Sequence, residues 1–266
     1  MRRFLQAMSL LTRLPTRVTW EPDLPWGRLA GWFAPVGIVV GGLAFGLSYA
    51  WTLWPAARTQ PLLGAALLAA FGAAVTGALH LDGWGDCCDA FFVPADRAKR
   101  LAIMADPQVG AFGTIGLIVL LLVKTAALNG LLLRAGACAA AGDGAVSVAR
   151  ALWPLVAAPA LARARMVLVL AGPGNRLAKP DGMGARMRMG LTWRQVAAAI
   201  VVTVFVLLPF GWHGLVLAVV AGVLGAGFTR LAHARVGGLT GDVLGGLVEL
   251  VETGVLAAAS LLPFAG

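Results

Sequence analysis

The sequence predicts an all-α, polytopic integral membrane protein. Of its 266 residues 59% are apolar and only 12% are charged, the mean hydropathy is +0.85, and the apolar residues gather into long runs between charges. No ordinary soluble domain has this composition. The runs lack the alternating apolar and polar period of a lipid-facing β-barrel and are rich in Ala, Gly and Leu, as packed membrane helices are.

A hydrocarbon core about 30 Å thick takes about 20 apolar residues per helix. Seven runs approach or exceed that length, near 30–54, 62–79, 110–133, 137–162, 195–211, 213–229 and 247–264. About seven spans are therefore expected, within a range of six to eight, all in one domain covering 1–266. Asp143 and Arg150 interrupt the fourth run and Pro209 closes the fifth early. Residues 1–28 read as an amphipathic interfacial arm. Their basic start leads into a short stretch broken by arginine, without the long apolar core of a cleavable leader, so none is expected. The small-xxx-small spacings within the runs suit helix packing, and most tryptophans stand near expected span ends.

Orientation follows from the basic residues. With the N-terminus inside, all 21 Lys and Arg fall on the inner side except Arg58 and Arg134 outside and Lys124 and Arg150 within spans. That bias places the N-terminus, an acidic segment at 80–109 and a basic loop at 163–194 in the cytoplasm. It also accounts for much of the net charge of +9 without nucleic acid, while a basic inner face attracts polyanionic substrates and anionic membrane lipid. The three cysteines, Cys87, Cys88 and Cys138, have neither zinc-ligand nor disulfide spacing and read as reduced packing residues.

The stretch "LHLDGWGDCCDAFF" (79–92) crowds acid into this apolar chain. On a helix Asp82, Asp86 and Asp89 stand at i, i+4 and i+7, on one face. Like charges so placed need a cation or raised pKa values, and Mg2+, which prefers one or two carboxylates plus phosphate oxygens, suits these ligands. Gly83 and Gly85 would let a ligand approach the backbone. The plain alternative is a solvated acidic helix end balanced by Arg97, Lys99 and Arg100. A second acidic element, "GGLTGDVLGGLVELVE" (237–252), starts a helix at Asp242 and carries Glu249 and Glu252 into an apolar span. Buried carboxylates there require a partner or a polar cavity, and Lys124 and Arg150 are the expected counter-ions, in either a structural ion pair or a functional site.

Four blocks, "TRLP" (12–15), "GALHLDGWGDCCDA" (77–90), "IMADPQVGAFG" (103–113) with Lys124 after it, and "GGLTGDVLGGLVELVE" (237–252), resemble in order and spacing the cobalamin synthase family, the adenosylcobinamide-GDP ribazoletransferases. Ala90 stands where that family's motif has a glycine. The resemblance implies transfer of the phospho-cobinamide group of adenosylcobinamide-GDP to α-ribazole or its 5′-phosphate, with release of GMP, in the cytoplasmic (inner) membrane of a bacterium. It further implies Mg2+ on Asp82, Asp86 and Asp89, with Asp106 and Asp242 as additional candidate ligands. Asp89 is the expected base, and His80, two residues before the cluster and on the other side of the helix, is either catalytic or structural. Asp106 alternatively caps the next helix. Arg13, Lys124 and Arg186 are the expected substrate contacts. Association with other corrinoid-assembly enzymes is expected. A membrane transporter lined by Lys124, Arg150, Glu249 and Glu252, or a CDP-alcohol phosphotransferase, are the competing classes; the latter's DG-x-x-AR signature is absent because Asp86 and Cys87 follow Gly85.

Overall fold

The computed structural model describes residues 1–20 and 24–263. Residues 21–23 of the expected arm and residue 264 of the expected last span lie outside the described residues. In chain order the helices are α1 (Arg2–Leu11), α2 (Phe33–Leu53), α3 (Pro55–Arg58), α4 (Pro61–Thr76), α5 (Leu79–Phe92), α6 (Arg97–Ile103), α7 (Ala111–Ala141), α8 (Gly144–Leu152), α9 (Pro154–Ala171), α10 (Met183–Arg188), α11 (Trp193–Leu207), α12 (His213–Val236) and α13 (Gly241–Leu261). Among the described residues there is no β-strand, only one isolated bridge between Leu177 and Leu239.

Six segments are long and apolar enough to cross a bilayer: Trp26–Leu53, Ala111–Ala141, Gly144–Ala171, Trp193–Phe210, His213–Val236 and Gly241–Leu261. Helix α4 reaches the required length only together with α5, from which it is bent by 95°. We read α4 as a short seventh crossing and α5 as a helix lying across the end of the bundle. Only an odd number of crossings keeps the basic segments on one side, as their charge demands. The bend is local in origin. Gly77 and Ala78 both adopt the left-handed conformation, and Ala78 N–H to Ala73 O (2.8 Å) with Gly77 N–H to Ala74 O (3.1 Å) closes α4 as a Schellman motif.

The fourth expected span is displaced. Helix α7 continues to Ala141, and the crossing runs from Gly144 to Ala171 as α8 and α9. Arg163 and Arg165, expected in the basic loop, therefore lie inside α9, which is buried along nearly its whole length. Helix α2 packs on α9 at close range. A Cβ at Gly37 would lie 2.5 Å from Pro159 O, and one at Gly41 would strike Leu155 O. Pro159 has no N–H to offer that Leu155 carbonyl, so the small-xxx-small face of α2 covers a carbonyl freed by the proline.

Helices α7, α9 and α13 meet at a buried charge node. Lys124 Nζ donates to Glu249 (2.6 Å) and to Glu252 (3.1 Å), and Arg163 donates to the other oxygen of Glu252 (3.1 Å). Arg163 also donates to Pro159 O (3.0 Å). Lys124 is the counter-ion expected from sequence, but Arg150 is not: it is exposed and lines a small cleft at the far end of the bundle with Arg134 and His213. The two carboxylates require a second cation, and Arg163 supplies it. Removing one member of such a buried group leaves an uncompensated charge, which costs about 3–5 kcal/mol. Lys124→Met is accordingly expected to lower the thermal unfolding temperature in detergent sharply, and adding Glu249→Gln to recover part of the loss; equal stability of Lys124→Met and the parent would contradict the node.

Candidate active site

Helix α5 is held on two sides. Against α13, glycine meets backbone: a Cβ at Gly83 would lie 2.7 Å from Asp242 O. Against α7, Gly85 faces the Leu117 side chain, with a Cβ-to-methyl distance of 3.3 Å, and Trp84 Nε1 donates to Gly116 O at 2.9 Å. Gly83 and Gly85, expected to admit a ligand, instead admit neighbouring helices. That packing turns Asp82 outward, leaves Asp86 half-buried and brings both close to Asp242 in the first turn of α13. Thr240 caps α13 through Val243 N–H (3.1 Å), which fixes where Asp242 begins.

Asp82, Asp86 and Asp242 thus share one field. The Asp86 carboxyl is pushed up to about 7, first by burial and then by the charges of Asp82, Asp242 and Asp89. Lys179, from the segment after α9, tempers the charge of Asp242. Among the described residues no group of three or more His, Cys, Asp or Glu forms a metal cage. An ion such as Mg2+, satisfied by one or two carboxylates and completed by water and phosphate, needs no such cage.

Asp89 is spent differently. One oxygen accepts Gly110 N–H (2.7 Å) and the other Gly113 N–H (2.8 Å), so its carboxylate closes the N-terminus of α7 from outside that helix. Side chains at Gly110 or Gly113 would occupy the carboxylate's place. Expected as base and ligand, Asp89 is a clamp between α5 and α7. Asp106, expected as cap or ligand, does not cap the next long helix, whose N-cap is Gly110; it is exposed, and its side chain takes Gln108 N–H (3.0 Å) in a local turn. The sequence offered a signal for the clamp in the paired glycines at 110 and 113, where backbone N–H groups lie open to an anion.

His80 faces inward, 2% exposed, and neither ring nitrogen has a hydrogen-bond partner among the described residues. Burial, and then the nearby Arg163 charge, drive its pKa down to about 3. Lys124, expected at the substrate, is buried and held by its two glutamates. Arg13 is exposed, its side chain stretched over Gly77 at the α4–α5 corner and its N–H on Val75 O (2.7 Å). Arg186 is exposed on α10 and stands 5.9 Å over the Trp26 ring. The cysteines are free and buried, as packing residues should be.

A family model described as Cobalamin-5-phosphate synthase matches residues 3–260. The chain belongs to that family. It is similar to an adenosylcobinamide-GDP ribazoletransferase of Pseudomonas aeruginosa PAO1, 37% identical over 268 residues and 98% of each chain. Proteins of the same name from Stutzerimonas stutzeri A1501 (35% identical, 97% of each chain) and Geotalea daltonii (34% identical, 100% of this chain and 99% of the relative) are also similar. No solved structure matches it. In this member of the cobalamin-5-phosphate synthase family, the matched region takes in α5, the α7 N-terminus and α13, the three elements that build the carboxylate cluster.

Two outcomes test the geometry. Asp89→Ala orphans two backbone donors, and the protein should lose about 2 kcal/mol or more of stability, a charged hydrogen bond being worth about 1.5–3 kcal/mol; a thermal midpoint unchanged from the parent would count against the clamp. With divalent ions chelated, folded Asp86 keeps its proton up to about pH 7 whereas the unfolded chain releases it near 3.8. The native state therefore holds more protons between those values, so stability falls as pH rises through that window. Thermal scans across it should show that slope in the parent and a flatter profile in Asp86→Asn.

Proposed function

We propose that this protein transfers the phospho-cobinamide group of adenosylcobinamide-GDP to the hydroxyl of α-ribazole or α-ribazole 5′-phosphate, releasing GMP. The new O–P bond forms at the phosphorus that carries cobinamide, the P–O–P bridge breaks, and the hydroxyl proton leaves to a carboxylate. Family membership and relatives bearing that name along nearly their whole length support the reaction. The observation that carries the site is the convergence of Asp82, Asp86 and Asp242 at one end of the bundle, where the basic segments also gather. Arg13 there reaches the end of α4, Arg97 reaches the ends of α12 and of the loop after α9, and Gly27 meets the backbone at Met189.

Asp82, Asp86 and Asp242 are the residues that would hold Mg2+, which when bound neutralises diphosphate charge. Asp89 is engaged by the α7 N-terminus, so acceptance of the proton falls to Asp82 or Asp86. Rigid placement of both on α5, between α7 and α13, orients them toward the substrate end. The active site then faces the cytoplasm from the inner membrane, with membrane lipid around the spans and other corrinoid-assembly enzymes as neighbours there. A transport path has no support, because Lys124, Glu249 and Glu252 neutralise one another and Arg150 stands apart from them.

The test is GMP release and joined-corrinoid formation by the purified protein given adenosylcobinamide-GDP and α-ribazole. Activity should require Mg2+, and Asp82→Asn or Asp86→Asn should reduce turnover by about 10²-fold or more, the scale of losing one charge-stabilising group, with folding intact. Full activity in both variants, or in excess chelator, would refute the assigned site; a well-folded parent that makes no product would refute the reaction.

A further inference from the structure

Three arginines that the carboxylate cluster does not use converge nearby. Arg97 from α6, Arg176 from the loop after α9 and Arg235 from the last turn of α12 line a cleft of about 550 Å³, together with His233, Gly174 and Gly237. That volume lies within the usual range for small-molecule sites, about 300–1,000 Å³. Among the described residues no carboxylate lines it. None of the three guanidinium groups forms an ion pair among the described residues.

The cleft is built rather than merely basic. Arg97 donates from Nε to Val236 O (3.0 Å) and from Nη2 to Ala178 O (3.2 Å), leaving Nη1 uncommitted. Its guanidinium lies in the space that a Cβ at Gly237 would fill, and Gly237 has φ +82°, a conformation that favours glycine. His233 Nε2 accepts Arg176 N–H (3.0 Å) while Nδ1 meets Thr229 O (2.7 Å), which orients the ring and pins the backbone of Arg176 at the rim. Arg176 O in turn accepts Leu239 N–H (2.8 Å).

Two plainer roles fall short. The C-terminal end of α12 carries about half a negative charge, far less than three guanidinium groups. Topology-setting arginines need only be exposed on the inner side; they need not line one cleft from three separate segments, where like charges repel unless an anion sits among them.

We propose that Arg97, Arg176 and Arg235 bind a phosphomonoester. A short turn, 237–240, separates this cleft from Asp242, and Lys179, three residues beyond Arg176, already acts on the Asp242 charge. A terminal phosphate held by the arginines would therefore lie beside the carboxylates without competing for them. Under the reaction proposed above, on which the ligand's identity rests, the group bound is the phosphate of the departing GMP or of a 5′-phosphorylated acceptor. A phosphodiester headgroup of an anionic lipid offers related chemistry and has to be separated by experiment.

The test is calorimetric titration of GMP and, separately, of α-ribazole 5′-phosphate into the full-length protein in nonionic detergent, the ligand that binds identifying whose phosphate the cleft holds. Arg176→Ala/Arg235→Ala should weaken binding at least about tenfold, as loss of charge-assisted contacts to phosphate does. Arg58→Ala/Arg150→Ala, which removes the same charge at the far end, should leave binding unchanged. No binding by the parent, or equal binding by the first double variant, would overturn the proposal. Nanodiscs of phosphatidylglycerol, but not of phosphatidylcholine, displacing GMP from the parent would assign the cleft to lipid and overturn it as well. Arginine-dependent GMP binding in a protein that makes no corrinoid product would leave this site standing and remove the proposed reaction. Unchanged affinity for both ligands in Arg176→Ala/Arg235→Ala, with normal turnover and an unchanged KM for α-ribazole 5′-phosphate, would do the reverse.

Discussion

Two glutamates and two cations neutralise one another inside the bundle, and the position of the carboxylate helix follows from that node. Glu249 and Glu252 are two turns and more into α13, and their partners Lys124 and Arg163 come from α7 and α9. In a hydrocarbon setting none of these charges has an alternative partner in water, so the three helices are held in one register along the membrane normal. That register brings the N-termini of α7 and α13 to the same level, and α5 bridges them: Asp89 to the first, Gly83 to the second.

The site is therefore rigid for reasons outside it. Asp82 and Asp86 belong to a helix held by backbone, hydrogen-bond and aromatic contacts on its other faces, including Trp84 stacked on Phe228 at 5.9 Å. Mutual repulsion among the acids does not splay them apart, because α5 cannot move without breaking Asp89 from α7. What the fold leaves unneutralised at this end is negative charge on α5 and positive charge around the α12–α13 turn, side by side. A charged diphosphate bound with its cation matches such a pairing.

Much of this was legible in the sequence. Apolar run length and the bias of the basic residues placed the spans and their common end, and the i, i+4, i+7 spacing placed the three acids on one helix face. Run counting failed at Arg163, because a charge ends a run whether or not a partner awaits it. The two glutamates on α13 called for two buried cations, read as Lys124 and Arg150, and only the folded chain shows that Arg163 of α9 takes the place expected of Arg150. The contacts of Asp89 were hidden for a related cause: spacing tells which residues share a face, and not which of them that face presents to another helix's free N–H groups. Arg97, Arg176 and Arg235 lie far apart in sequence and meet only through the 237–240 turn.

The corner between α4 and α5 has a consequence for the bilayer itself. At 16 residues and 1.5 Å per residue, α4 is about 24 Å long, shorter than the roughly 30 Å of hydrocarbon it crosses. Lipid beside it must thin or tilt its chains to keep contact, at a cost of fractions of a kcal/mol per Å. The surface that carries the acids is thus recessed into a dimple of the membrane, and the thickness of the surrounding lipid becomes part of the enzyme's working environment.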